Sequence, residues 1–269
     1  TRYNFTYRDV TKFLKDKLTV DLSASYILQD NKNMIAAGKY FNPLPALYLF
    51  PRGDDFDNVR LYQRWDESRN LYTQAWDYGS GDMSFQHPYW IMNKMINQTK
   101  KRRYMLSANL KYDVTDWLDV TGRVKVDNAD MDITEKRYAG TDTNFAGEKG
   151  MYSIIKRNDR QIYADAIANI DLTFAGDYHL SANVGASLKD VRMDFMGWGG
   201  DLRKIPNFFS ITNISTTNYK EREDGSHIQS QSIFANVELA WKSMLYLTVT
   251  GRNDWESALA FSKYKSFFY

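Results

Sequence analysis

The feature that most restricts this chain is the alternation from Trp117 to Asp127, WLDVTGRVKVD. Leu118, Val120, Gly122, Val124 and Val126 share one parity, and Asp119, Thr121, Arg123, Lys125 and Asp127 share the other. Alternate side chains of a strand point to opposite faces, so the segment has one apolar and one charged face. A helix would mix the two sets. Similar grammar recurs along the chain, with strand, tight turn, aromatic and alternating strand following one another.

Four hairpins account for most of it. Tyr3, Phe5, Tyr7 and Phe13 precede a turn at Lys15-Asp16-Lys17, and Leu18, Val20, Leu22, Ala24, Tyr26 and Leu28 follow it. The second hairpin carries Tyr104, Leu106, Ala108, Leu110 and Tyr112, turns at 113–116 and returns through the opening stretch to Tyr138. In the third, Ile162 to Phe174 turns at Ala175-Gly176-Asp177 into Tyr178 to Leu188. In the fourth, Ile233 to Trp241 turns at Lys242-Ser243 into Leu245 to Gly251. This predicts an all-β, antiparallel, up-and-down arrangement of about eight strands.

The connections differ in length. Short polar turns alternate with long excursions: 33–100, which holds Pro43, Pro45, Pro51 and Pro88 and many aromatics, a polar loop at 139–150, and 199–226. The first excursion has enough apolar mass to pack on itself, with short helices expected near Asp57 to Trp65 and Trp90 to Asn97. Outer-membrane barrels have short periplasmic turns and longer extracellular loops. Aromatics gather beside the short turns at Phe13, Tyr112, Trp117, Phe174, Tyr178, Trp241 and Tyr246, as an interfacial girdle would place them. The charged parity would be costly in a sandwich core, where Asp119, Arg123, Lys125 and Asp127 would each need a buried partner, but not in a wet lumen. A transmembrane barrel wall is the expected architecture. A soluble antiparallel sheet with one wet face is the other reading of any single hairpin.

Composition removes several classes. No run approaches the 18 or so apolar residues of a membrane helix, which leaves a strand-built span open. Mean hydropathy is −0.57, yet 15% of residues are aromatic, a pairing that suits strands with one polar face. A formal charge of +2 and the lack of a basic block interleaved with aromatics give no reason to invoke nucleic acid. With no Cys there is no disulfide, thiolate metal site or Cys nucleophile. No initiator Met or signal peptide is present, and the chain ends at Ser266-Phe267-Phe268-Tyr269 as another alternating segment begins, so an internal piece of a longer polypeptide is expected.

No catalytic constellation emerges, and the chain is not expected to be an enzyme. His87, His179 and His227 are far apart in sequence. Asp54, Asp55 and Asp57 lack the spacing of a Ca²⁺ loop, so no metal or cofactor is implied. Asn4-Phe5-Thr6, Asn97-Gln98-Thr99 and Asn213-Ile214-Ser215 match the glycosylation sequon by chance, and Gly197, Gly199 and Gly200 suit a bending strand rather than a phosphate loop. Within 33–100, aromatic faces stand beside amides and carboxylates, the chemistry that binds sugars. Trp65, Trp76, Tyr78, Tyr89 and Trp90 are therefore candidates for cargo or partner contact, with a role in the loop's own core as the competing reading.

Particular segments also resemble a known family. YMLSANLKYDVTDWLDVTGRVKVDN (Tyr104 to Asn128), NPLPALYLFPRG (Asn42 to Gly53), PYWIMNK (Pro88 to Lys94) and LTVTGRNDWESALA (Leu247 to Ala260), followed by KSFFY, resemble the barrel of the SusC/RagA family. These are TonB-dependent outer-membrane transporters of Bacteroidetes, and the likeness extends over essentially the whole chain. It implies a plugged barrel of about 22 strands, a SusD-like surface lipoprotein as partner, energy from the TonB complex, contact with outer-membrane lipid, and import of oligosaccharides or peptides. No plug domain or TonB box is recognised in residues 1–269, so the expected unit is a partial barrel. The alternative function is a non-transporting β-sheet module that holds glycan or protein on its loops.

Overall fold

A computed structural model describes residues 1–34, 38, 40–55, 57, 60–78, 85–259 and 266–268. Eight long strands form one antiparallel meander: β1 (Arg2–Phe13), β2 (Leu18–Lys32), β5 (Met95–Thr115), β6 (Leu118–Tyr138), β7 (Gly150–Phe174), β8 (Tyr178–Leu202), β9 (Ile214–Trp241) and β10 (Leu245–Glu256). A short β11 (Ser266–Phe268) pairs with β10, making a nine-stranded sheet among the described residues. Each strand neighbours the next long strand in sequence, which is the expected up-and-down order. Between β2 and β5 lie two short helices, α1 (Pro43–Tyr48) and α2 (Pro88–Lys94), and a separate hairpin of β3 (Gln63–Asp66) and β4 (Leu71–Gln74).

The short turns follow from backbone chemistry. Ala175 and Gly176 are both left-handed, with φ of 50° and 71°. Two consecutive positive φ values match the twist of the flanking strands, so β7 and β8 close without splaying. Lys242 and Ser243 do the same between β9 and β10.

Register explains the two faces. Leu22, Ala108, Val124, Ala164 and Leu188 are paired in turn across β2, β5, β6, β7 and β8, so one parity of every strand lies on one face. That face is apolar from Tyr104 to Tyr112 in β5 and from Ile162 to Phe174 in β7. Such a height is close to, or somewhat above, the 9 to 11 or so residues with which a tilted strand crosses a bilayer. Its large side chains are exposed, including Val124, Leu188 and Ile233, so the band faces out of the chain rather than into a core. Farther from the short turns the same parity turns polar, through the paired row Asn128, Arg160, Arg192 and His227.

The opposite face is a ladder of polar pairs. Arg123 meets Asp165 at 2.7 Å, and the Asp165 side chain is fully covered. Arg8 meets Asp21 at 2.8 Å, and Arg103 pairs with Asp127. Asn183 donates to Asn169, which donates to Asp119, at 3.3 and 2.9 Å. A covered carboxylate persists when cation and hydrogen bonds satisfy it, and this face supplies both.

Three expectations change. The loop placed at 199–226 narrows to 203–213, because β8 runs to Leu202 and β9 starts at Ile214. There both parities are polar, so alternation vanishes although backbone pairing continues. The first excursion likewise ends at Lys94 rather than 100, since β5 begins at Met95. Instead of a helix at Asp57 to Trp65, the structure has strand β3 over its final residues, while α1 starts upstream where the Asn42 side chain accepts from the Leu44 amide and Pro43 opens the helix.

Candidate functional site

The connections at 33–94, 139–149 and 203–213 emerge at one end of the sheet, and their described residues pack together into a platform. Its core is Trp90, Ile91 and Met95, against which Phe41, Tyr62 and Tyr138 pack. The indole Nε1 of Trp90 donates to Thr141 Oγ1 at 3.0 Å, tying the first excursion to the 139–149 loop. Gly140 makes that approach possible. It is left-handed at φ +95°, and a Cβ there would lie 2.7 Å from the Thr73 Cα. Arg137 reinforces the seam by donating to the Phe145 carbonyl at 2.8 Å while covering the Phe41 ring. The 203–213 loop joins through Asn207, whose side-chain oxygen accepts from the Ala139 amide at 2.7 Å, and through Phe209 against Tyr138.

The five candidate aromatics separate into two environments. Trp90 is 1% exposed and belongs to the core, so it cannot line a vestibule; helical placement on α2 turns it inward. Trp76 and Tyr89 are half-buried around His87, with ring centroids 4.9 and 5.8 Å from it. Trp65 is exposed, edge-on to Tyr72 across the β3–β4 pair. Tyr78 is also exposed, and its hydrogen bond to the Asp54 carboxylate raises its pKa from the ordinary phenol value. Only Trp65 and Tyr78 of the five present large open surfaces, and Tyr72, beside Trp65, is a third that sequence reasoning passed over.

The proposed girdle is similarly divided. Phe174, Tyr178 and Trp241 form one registered row on the apolar face, and the first two rings stack at 5.6 Å. Phe13 and Tyr112 occupy that face through Leu18. Trp117 lies in the β5–β6 turn, exposed. Tyr246 does not join them. It pairs with Ala240 and hence lies on the charged parity, where proximity to the turn in sequence was a misleading guide.

Below the platform, on the charged face, is a groove of about 650 Å³. Its floor contains Gly197 and Gly199 of β8, and Phe145 and Phe195 stand at its sides. Lys220 and Arg222 of β9 are registered beside those glycines. Sequence gave no sign of this groove, because it depends on residues from three separated segments. The motif-like triplet of glycines was its one visible trace.

An antiparallel meander with a bilayer-high apolar face and a paired polar face is the wall of a transmembrane β-barrel. Comparison shows which barrels it is similar to. The fold is similar over 99% of the chain to the RagAB peptide importer in its open-open state, with a TM-score of 0.73 and 13% identity, covering 28% of that chain. The closed-closed state of that importer gives a TM-score of 0.69 at 13% identity, covering 99% of this chain and 29% of that one. The ferric-catecholate import receptor Fiu of E. coli K12, in its closed form, aligns over 95% of this chain and 34% of its own at 11% identity, with a TM-score of 0.52. No protein-family model and no curated sequence matches the chain. The SusC/RagA resemblance read from the sequence thus holds at the level of the fold: the sheet has the fold of a segment of the RagAB importer's barrel. The chain spans under a third of the RagAB chains it matches.

Proposed function

We propose that this chain forms part of the wall and outer mouth of a TonB-dependent outer-membrane importer of oligosaccharides or peptides. The observation that carries the reading is the conjunction of the transporter-barrel fold over 99% of the chain with an apolar band of bilayer height. In this reading the apolar face meets lipid, the ladder face lines the lumen, and the short turns lie in the periplasm. The platform of long loops faces outward. Trp65, Tyr72 and Tyr78 are the surfaces offered to a SusD-like lipoprotein or to cargo. Trp90 instead holds the platform together. Energy comes from the TonB complex acting elsewhere in the protein, and the residues described here supply binding and passage rather than bond-breaking chemistry.

The test is made in the cell of origin. The protein is expected in the outer-membrane fraction, with heat-modifiable migration on gels, and its deletion is expected to abolish uptake of one class of oligomer. Recovery of the protein in the soluble fraction without detergent would overturn the assignment.

A further inference from the structure

The groove on the charged face has a chemical bias that the importer reading alone does not specify. Lys220 and Arg222 are two residues apart on β9, so their Cα atoms stand about 7 Å from each other on one face. Neither forms an ion pair among the described residues, although most cations lower on this face do. Both are exposed. Arg222 instead lies over the Phe195 ring at 5.1 Å, which fixes the guanidinium without neutralising it.

The surroundings are built rather than incidental. Gly197 and Gly199 face the groove from β8, directly paired with Arg222 and Lys220. A Cβ at Gly199 would meet Ser153 at 2.8 Å and one at Gly197 would meet Ile155 at 3.2 Å, so the floor stays at backbone level beneath the two cations. The opposing wall is pinned: Arg137 holds the Phe145 carbonyl, and Asp201 accepts from the Gly147 amide at 2.8 Å. Arg137 is paired with Glu135, while Asp201 keeps its charge beside that one amide, so the groove sets two cations without an ion pair, Lys220 and Arg222, against one carboxylate.

Two cations without ion pairs, outnumbering the groove's one carboxylate, above a bare floor flanked by aromatic walls suit a planar anion carried on a partly apolar oligomer. We infer that this groove binds a carboxylate of the cargo, so that the transporter favours carboxylate-bearing oligomers over neutral ones. The inference rests on the importer reading and narrows its substrate class. The carboxylate has two possible sources, the C-terminus of a short peptide or the uronic acid of an acidic oligosaccharide.

The experiment uses the full transporter, purified in detergent from outer membranes. Binding is measured for a short peptide with a free C-terminus and its amidated counterpart, and for an oligogalacturonate and its neutral counterpart. The wild type is expected to prefer one free-carboxylate probe over its neutral partner by about tenfold to a hundredfold, as a charge-assisted pair supplies. The responding arm identifies the source. Lys220→Gln with Arg222→Gln is expected to erase the preference while keeping heat-modifiable migration, and Lys220→Arg is expected to retain it. Absence of any preference in the wild type, or a preference that survives the double substitution, overturns the groove assignment. Normal uptake of a neutral oligomer alongside such a result leaves the importer reading standing, whereas failure of the cell to lose any uptake on gene deletion removes that reading itself.

Discussion

Val124 and Thr121 are three residues apart on β6 and face opposite sides, which makes them a matched probe of the membrane. Val124 is exposed on the apolar face, and Thr121 lies on the ladder face near Asp119. Val124→Lys is expected to hinder barrel insertion by about 2 to 4 kcal/mol if near the midplane, measured as the folded, heat-modifiable fraction, while Thr121→Lys inserts normally. In the platform, Trp90→Ala opens a buried site and removes the bond to Thr141, so a loss of roughly 3 to 5 kcal/mol of local stability is expected. Trp65→Ala, on an exposed ring, should leave proteolytic resistance unchanged and alter only partner or cargo affinity. A pH effect belongs to Asp66 in the β3–β4 turn. The Ser68 hydroxyl, opposed by burial and then helped by the Arg69 and Ser68 amides, holds its carboxyl below the ordinary carboxylate range. A carboxylate with a depressed folded pKa stabilises above its unfolded value, near 3.9, and that contribution is lost as pH falls through the folded value. The hairpin should therefore loosen only in strong acid, and Ser68→Ala should move the loosening to higher pH, both visible in Trp65 fluorescence.

Among the elements, the 203–213 loop depends on one side chain. Asn213 is 4% exposed. It accepts from the amides of Lys204 and Ile205 and donates to the carbonyls of Ile205 and Phe208. Asn213→Ala would leave those groups unpaired at about 1 to 3 kcal/mol each, and limited proteolysis should then cut within 203–213 without disturbing β8 or β9. The strands themselves were largely legible in sequence, because Leu118 to Val126 and Ile162 to Phe174 alternate between an apolar face and a polar one. Their upper halves were not. From Asp190 to Phe195 the apolar residues Val191, Met193 and Phe195 fall on the parity opposite to Leu180 and Leu188, and across 215–226 of β9 neither parity is apolar, so hydropathy carries no continuous record of pairing that backbone hydrogen bonds sustain. The β3–β4 hairpin was hidden for a different reason, since four-residue strands bounded by Asp66 and Asn70 are too short for a period to show. Within the candidate site, composition located the aromatic excursion, but which rings are open depends on how 139–149 folds back over it.

The described sheet is open on one side along β1, whose residues are nearly all exposed. An isolated polypeptide of residues 1–269 is expected to self-associate through such an edge rather than insert as a heat-modifiable monomer, a difference that size-exclusion chromatography in detergent would reveal. In the full barrel that edge is available to a further strand. The tall strands have one more consequence. Above the apolar band β7 continues from Gln161 back to Gly150, about a dozen residues that raise the rim roughly 25 to 30 Å above the hydrocarbon at a strand tilt near 45°. At physiological salt a potential decays over about 8 Å, so the rim stands some three decay lengths above the charged lipid surface. In the proposed importer, first contact with cargo would thereby be insulated from the charge of the surrounding membrane, and capture rates should stay constant when the protein is moved between anionic and zwitterionic bilayers.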